Sequence, residues 1–252
     1  MSGPAALAAE WVKVRTLRST AWTLALTVVA GGGLAYLTGW SLRRAEPEHF
    51  DALFASFYGL SLAQLALVVF AVLTVGGEYG SGTIRPTLAA VPRRGRYYLA
   101  KLAVLALCAA AVSALTVAAA WFAGQAGLAS RHTTLTADGV PRTVAGAFVY
   151  LVLIALFAAG VAQTLRGSTA ALAVLLPLFF LGSQGLGNIP GLRRVTQFLP
   201  DQAGVAILHY FGAPDGPRYD RAFGPWGGIG IMALWTALAL AAGHVSLRRR
   251  DA

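Results

Sequence analysis

Cysteine and charged residues are scarce in this sequence of 252 residues, and their scarcity excludes several classes of protein. The single cysteine, Cys108, lies inside an apolar run, so the chain has neither an internal disulfide framework nor a cysteine metal cluster. Only 12% of the residues are charged and 57% are hydrophobic, whereas soluble domains have roughly 25% charged residues. Together with a mean hydropathy of +0.64, this composition indicates a membrane protein with several spans.

Motifs of nucleotide binding and hydrolysis are also lacking. The sequence has no glycine-rich phosphate loop that ends in Lys and Ser or Thr, so we expect that ATP does not bind to this chain. It has no His-Glu-x-x-His pair, and its four histidines are scattered. Residues 182–185 resemble a serine nucleophile only faintly, because the flanking pattern of a nucleophile elbow is missing. We therefore expect no catalytic residue, no cofactor and no metal ion in this chain.

Apolar runs with charge only at their ends dominate what is present. About 20 helical residues, at ~1.5 Å each, cross the ~30 Å hydrocarbon core of a bilayer. The sequence therefore predicts an all-α, polytopic membrane protein with six transmembrane helices in a single domain, 1–252. The predicted spans are 20–40, 53–76, 98–122, 144–165, 168–187 and 226–247. Glycines 31–33 are expected to allow a close helix approach or a bend, and Pro177 to kink the fifth span. Partial re-entrant or interfacial helices are expected in the long loop 188–225.

None of the six runs has an ionisable side chain near mid-membrane, where such groups mark ion and proton pathways. This argues against a proton- or sodium-coupled carrier and leaves a conduit or scaffold whose energy comes from elsewhere. Uncharged polar residues inside the runs would either line a weakly polar path or form hydrogen bonds between helices, and we favour the hydrogen bonds. These residues are Gln64, Ser113, Thr116, Gln163 and Gln184.

A short interfacial helix is predicted over residues 4–19, because Leu7, Trp11 and Val14 recur at helical spacing while Glu10 and Lys13 lie off that face. The alternative is a frayed basic tail. We expect the side chain of the lysine at the start of the third span to reach the membrane surface by snorkelling. The predicted membrane-interface anchors are Trp11, Lys13, Arg15, Arg18 and Lys101.

The long polar interruption at residues 78–101 has five bases against one acid, Glu78. Gly82 allows the chain to turn, and Thr83 stands where it would cap a short helix over residues 84–91. Pro92 is expected to stop this helix. The basic residues that follow are expected to lie at anionic headgroups, and the acid to pair with a nearby Arg. A basic membrane-anchoring loop without a protein partner is the alternative interpretation.

Charge also predicts the orientation of the chain. Six spans place both termini on one side, which has 12 bases and 3 acids, whereas the other side has 8 bases and 7 acids. The excess of bases predicts that both termini and the segment 78–101 are cytoplasmic. Because the bases lie in short loops between apolar spans, anionic membrane lipids explain them better than nucleic acid does.

The pattern Glu78-x-x-x-Gly82-Thr83-Ile84-Arg85, followed by Pro92-Arg93-Arg94 and Lys101, resembles the first cytoplasmic loop of ABC transporter permeases of the type-2 exporter class. The stretch 10–19 is similar to the opening interfacial helix of that family. The stretch 198–204, Phe-Leu-Pro-x-x-Ala-Gly, is similar to its last external loop.

This resemblance implies a permease subunit in a bacterial plasma membrane, whose coupling helix within segment 78–97 sits in a groove of a separate ATP-binding subunit. ATP and Mg are expected on that partner, and a second permease copy is expected to complete a homodimer or heterodimer. The implied activity is export of a drug, an antibiotic, or a lipid or glycan precursor. The implied coupling residues are Glu78, Gly82, Thr83, Ile84, Arg85, Pro92, Arg93 and Arg94. A non-transporting membrane sensor or immunity protein with the same fold stays open, as does, with less support, a membrane-embedded enzyme.

Overall fold

The computed structural model describes residues 3–44, 51–91, 93–183, 193–209 and 219–249. Within these ranges the protein is all-helical, with eleven α-helices, two short 3-10 turns and no strand. The all-α prediction is therefore confirmed. The helices are α1 (Gly3–Thr16), α2 (Arg18–Leu42), α3 (Ala52–Phe57), α4 (Leu60–Gly80), α5 (Ile84–Ala90), α6 (Arg94–Leu128), α7 (Val140–Leu165), α8 (Ser168–Ser183), α9 (Arg193–Thr196), α10 (Pro200–Gly204) and α11 (Pro225–Arg249).

Among the described residues, five helical segments are long and apolar enough to cross a membrane, and they correspond to five of the six predicted spans. They contain α2, α3 with α4, α6, α7 and α11. The remaining predicted span corresponds to α8, which is apolar but only 16 residues long. At ~1.5 Å per residue, α8 measures about 24 Å, less than a bilayer core. Its predicted end at residue 187 lies outside the described residues. α8 continues through Pro177, and the kink there stays a prediction.

The bundle has two ends that differ in the elements they contain. At the first, α1 and the last turns of α11 lie beside α5 and the start of α6, because Ala6, Ile84 and Leu247 share one apolar cluster. We call this the terminal end. At the opposite or far end, the C-terminus of α2 meets that of α6, and α10 meets the first turn of α11. Both terminal helices therefore lie at one end, together with α5.

Glycines allow α2 and α6 to approach each other backbone to backbone. A Cβ atom added to Gly39 would lie 2.5 Å from the carbonyl oxygen of Gly124, and one on Gly31 would lie 2.7 Å from a side-chain carbon of α6. Gly32 lies against Ala119 of α6 in ordinary contact. The predicted close approach at glycines 31–33 is thus confirmed for the first two, whereas Gly33 faces open space.

Residues 193–209 fold back into the far end of the bundle. α10 and the 3-10 turn Val205–Leu208 are buried throughout and contact α7 and α11, and α10 also contacts α8. The close fit is made by glycines, because a Cβ on Gly204 would lie 2.2 Å from the Tyr150 ring and one on Gly146 would lie 2.2 Å from Ile207. The prediction of partial helices in the loop 188–225 is confirmed for this described part, and their re-entrant or interfacial position stays a prediction.

Polar residues inside the spans bond mainly within and between helices. Tyr150 of α7 donates a hydrogen bond to Gln64 of α4, and Gln163 of α7 donates to the Tyr79 hydroxyl of α4 at 2.5 Å. Thr116 instead bonds to a carbonyl of its own helix. The favoured reading of hydrogen bonds between helices is thus confirmed for the two glutamines. The Ser113 hydroxyl is buried without a hydrogen-bond partner, and Gln184 lies outside the described residues.

Candidate functional site

The predicted short helix after the second span is α5. The chain turns at Gly82, whose φ of +71° lies in the left-handed region that favours glycine. Thr83 occupies the position before the helix, but its hydroxyl bonds to that of Ser81 at 2.9 Å instead of capping the helix. α5 ends at Ala90. Because Pro92 lies outside the described residues, its role as a helix stop stays a prediction.

α5 is anchored on one side and exposed on the other. Ile84 is 3% exposed and packs in the apolar cluster with α1, α6 and the end of α11. The side chains of Arg85, Pro86, Ala89 and Ala90 are exposed. This arrangement makes α5 a fixed projection from the terminal end that presents a basic and apolar surface.

A buried network of four charges lies beside α5 and joins three helices. The ammonium nitrogen of Lys101, on α6, lies 2.7 Å from a carboxylate oxygen of Glu10 on α1 and 2.9 Å from one of Glu78 on α4. Lys13 on α1 lies 2.8 Å and 2.7 Å from the same two carboxylates. Two positive and two negative charges therefore neutralise each other where α1, α4 and α6 meet.

The interior member of this network is well satisfied. Lys101 is 2% exposed, and it also donates to the carbonyl of Thr74 at 3.4 Å. The hydroxyl of Tyr97 donates to Glu78, and the ring of Tyr97 lies 5.3 Å from the Lys101 nitrogen. Because burying an ion costs several kcal/mol, such a network is stable only when its partners and hydrogen bonds are complete.

Lys13 forms the partly exposed edge of the network, with 35% of its side chain accessible. Burial lowers the pKa of Lys13, but the hydrogen bonds and charges of Glu10 and Glu78 outweigh that effect, and the net pKa is raised. The Lys13 side chain therefore stays protonated at neutral pH. Between α1 and α5 the network borders a groove of about 300 Å³, lined on the α5 side by Pro86, Thr87, Ala90 and Val91.

Two sequence expectations for this region, those for Lys101 and Glu78, are corrected by the structure. Lys101 does not snorkel to the surface, because Glu10 and Glu78 hold its ammonium group inside. Glu78 pairs with the two lysines and not with an Arg. Arg94 donates hydrogen bonds to the carbonyls of Leu247 at 2.8 Å and its neighbour 248 at 3.3 Å. It thus caps the C-terminus of α11, where a cation is favoured.

The structure leaves the remaining predicted anchors at the surface. Arg15, Arg18 and Arg93 are exposed, and Trp11 is 44% exposed. Their contact with lipid headgroups stays a prediction, as does the coupling role of residues 78–97.

α1 has two faces, and the predicted common face of Leu7, Trp11 and Val14 is wrong, because Val14 is buried and the other two are exposed. Leu7 and Trp11 are exposed, whereas Ala6, Glu10 and Val14 form the buried face. Sequence reasoning placed Glu10 off the apolar face and missed its role in the network. One signal was present, because the network contains both lysines of a chain whose other 18 basic residues are arginines.

Tyr97→Phe tests the hydrogen bond to the network without changing the shape of the side chain. We expect a loss of about 1.5–3 kcal/mol in the free energy of unfolding, because a bond to a charged group is removed. Chemical unfolding in mixed micelles measures this difference. Tyr36→Phe, at an exposed tyrosine of α2, is the control and should leave stability within about 0.5 kcal/mol. An equal loss in both variants would contradict the role of Tyr97.

Comparison with known proteins agrees with this architecture. The family model described as ABC-2 family transporter protein matches residues 6–182, from the first turn of α1 to the last turn of α8. No curated protein matches the chain. Among the described residues, no group of three or more His, Cys, Asp or Glu side chains is arranged to hold a metal ion.

Proposed function

Because this chain belongs to the ABC-2 family of transporter proteins and is a membrane permease component of that family, we propose that α5 couples it to a separate ATP-binding subunit. Members of the family generally work with such a subunit and dimerise. In this proposal ATP and Mg bind to the partner, and this chain contributes no catalytic residue. A second permease copy, identical or homologous, completes the translocation path.

The observation that carries this proposal is the exposed face of an anchored α5. A helix that projects from the membrane domain with Ile84 held in the core transmits force better than a loose loop does, because its root cannot move without α1 and α6. Arg85 and the neighbouring Arg93 and Arg96 are exposed. The surface that receives them is therefore expected to be acidic, since complementary charge favours association.

The charge network supports transmission from α5 into the bundle. Movement of α5 pulls on α4 and α6, to which it is joined by short links, and the network ties both helices to α1. ATP-driven closure of two partner subunits would then shift these helices as one block, which is a coupling of distant sites through a two-state assembly.

Orientation and substrate complete the proposal. The excess of bases at the terminal end favours a cytoplasmic location for that end in a bacterial plasma membrane. An apolar groove of about 620 Å³ lies between α2, α4 and α8 and includes Leu65, Pro177 and Phe180. A groove with this lining favours an amphipathic or hydrophobic substrate, a class that includes drugs, antibiotics and lipid or glycan precursors.

The test is co-purification of this chain with the ATP-binding protein encoded beside it, followed by reconstitution and measurement of ATP hydrolysis. We expect a stable complex whose ATPase activity rises when substrate candidates are added. A folded chain that captures no ATP-binding subunit would overturn the proposal. A complex without substrate-stimulated hydrolysis would favour a sensor or immunity role.

Arg85→Glu is expected to reduce capture of the ATP-binding subunit at least tenfold while the protein remains folded, because the side chain is exposed on α5. A tenfold change corresponds to about 1.4 kcal/mol of binding free energy. The matched control is Arg142→Glu, the same charge reversal at an exposed arginine of the far end. Equal capture by both variants would mean that α5 is not the docking helix. Reversal of Glu78 is a poorer test, because this residue is part of the buried network.

A further inference from the structure

The re-entrant segment 200–209 at the far end has a titratable side chain near its start and another at its end. Every residue of this segment is buried. Asp201 lies in α10 and His209 directly follows the 3-10 turn. Neither residue belongs to the terminal-end site or to any interaction proposed above.

Asp201 is a carboxyl group that the protein buries without fully satisfying it. It is 1% exposed, one carboxyl oxygen accepts from the Gln202 amide at 2.9 Å, and the other has no hydrogen-bond partner. The group lies against the end of α8, where only a glycine fits, since a Cβ on Gly182 would be 1.7 Å from it. Burial raises the pKa of Asp201 to about 6. Closure of the segment therefore favours the neutral acid.

His209 ties the other end of the segment to two further elements. One ring nitrogen lies 2.9 Å from a carboxylate oxygen of Asp51, and the other lies 3.4 Å from the Thr143 hydroxyl at the start of α7. The second Asp51 oxygen accepts from two amides of α3. Burial raises the pKa of Asp51, but the hydrogen bond and charge of His209 outweigh this effect, so the net pKa is lowered. The ring of His209 therefore ties the end of the segment to Asp51 and to α7.

Few other charges face the segment. Arg221 approaches it through Gln202, at 3.5 Å, and Asp220 and Tyr219 precede Arg221 in the chain. On the α7 side, the uncharged ring of Tyr150 lies against Gly204. The described residues of α8 and the first half of α11 have no ionisable side chain. The pH response of the segment is thus assigned to Asp201.

We propose that residues 200–209 form an acid-locked plug at the far end of the permease. Acidification neutralises Asp201, which relieves a buried and incompletely bonded carboxylate, while the contact of His209 with Asp51 holds the other end of the segment. The neutral Asp201 keeps the segment closed against α7, α8 and α11. At neutral and alkaline pH the ionised Asp201 loosens it. The inference concerns the plug alone and does not depend on coupling to ATP.

The sign of the effect can be worked out from linkage. A group whose pKa is higher in the closed state than in the open state stabilises closure below the open-state pKa, and this stabilisation is lost as the pH rises through the closed-state value. The pKa of Asp201 rises from 3.8 for the exposed residue to about 6 in the closed state. Between pH 5.5 and 7.5, ionisation of Asp201 therefore raises the opening constant of the segment roughly fourfold.

The test is backbone hydrogen–deuterium exchange of the full-length chain in lipid nanodiscs at pH 5.5 and 7.5, with rates corrected for intrinsic exchange. The protection factor of peptides that cover 200–208 should be at least fourfold higher at pH 5.5, whereas peptides from α6 should not change. This comparison uses the unmodified protein. A flat profile, or higher protection at pH 7.5, would overturn the proposal.

Variants then separate the two groups. Asp201→Asn mimics the neutral acid and should keep the plug protected at pH 7.5. His209→Asn, which tolerates the left-handed backbone at this position (φ +58°), removes the ring contact with Asp51 and should lower protection at both pH values while the pH dependence remains. Asp138→Asn, at an exposed acid of the same end, is the matched control and should behave as the wild type. A wild-type pH profile in Asp201→Asn would assign the response elsewhere and reject the plug mechanism.

Discussion

Lys101→Met is expected to lower the free energy of unfolding by about 3–5 kcal/mol, because removal of one partner leaves buried charge uncompensated. Two carboxylates, Glu10 and Glu78, would remain in the interior with only the partly exposed Lys13 to balance them. The methionine has a similar volume, so packing changes little. Chemical unfolding in mixed micelles, followed by tryptophan fluorescence, measures the loss.

Lys13→Met is the matched control for this experiment, because it removes the same charge from the same network. Since 35% of the Lys13 side chain is accessible, water screens the carboxylate charge that Lys13 no longer balances. We therefore expect a loss of about 1 kcal/mol or less in the free energy of unfolding. Adding Glu78→Gln to Lys101→Met should restore part of the stability, because it removes one of the two stranded charges. If the two lysine variants were equally stable, the interior position of Lys101 would carry no special energetic role.

A permease with Lys101→Met should also lose transport at temperatures where it remains folded. Within the described residues, this network connects α1, α4 and α6 through charged side chains. α5 lies between α4 and α6 in the chain. Without the network, we expect movement of α5 to displace only the terminal end and not to be transmitted through the bundle. Transport per molecule of ATP hydrolysed, measured in reconstituted complexes, separates this uncoupling from simple instability.

Gly39→Leu should disrupt the pairing of α2 with α6. A Cβ atom at this position would lie 2.5 Å from the backbone oxygen of Gly124, and it would be 3.1 Å from the Cα of Gly127. Because the obstacle is backbone, it cannot move aside as a flexible side chain would. Overpacking of this kind typically costs about 1–3 kcal/mol, and a leucine should reach or exceed the upper end of that range. Thermal unfolding in detergent and the yield of monodisperse protein are the measurements.

Gly33→Leu is the control, because it makes the same substitution in the same helix. No atom lies within 4 Å of a Cβ at Gly33, so the leucine points into open space. Replacing a helical glycine also gains up to about 1 kcal/mol of helix propensity. We therefore expect unchanged or slightly higher stability. Comparable instability of the two variants would show that α2 does not pack on α6 as described.

The transmembrane helices and the short helix between α4 and α6 followed from the sequence. Membrane spans are predictable because crossing a bilayer requires a continuous apolar run of about 20 residues, which is a local property. α5 was predictable because Gly82 allows the turn before it and residues 84–91 are apolar. α8 was harder to predict, since its described part is shorter than a bilayer core and the loop that follows it folds back into the bundle.

The partners of the charged residues were decided only by the tertiary structure. Lys101 and Glu10 are 91 positions apart, and no local pattern indicates that α1 turns its acid towards α6. The same holds for Arg94, whose partners are the last carbonyls of α11. It also holds for Asp201, because nothing in the predicted loop around this residue indicates that its side chain is buried. Hydrophobicity determines which segments leave water, and it can be read from consecutive residues of the sequence. The pairing of charges depends on which helix faces meet, and that is settled only when the whole bundle packs.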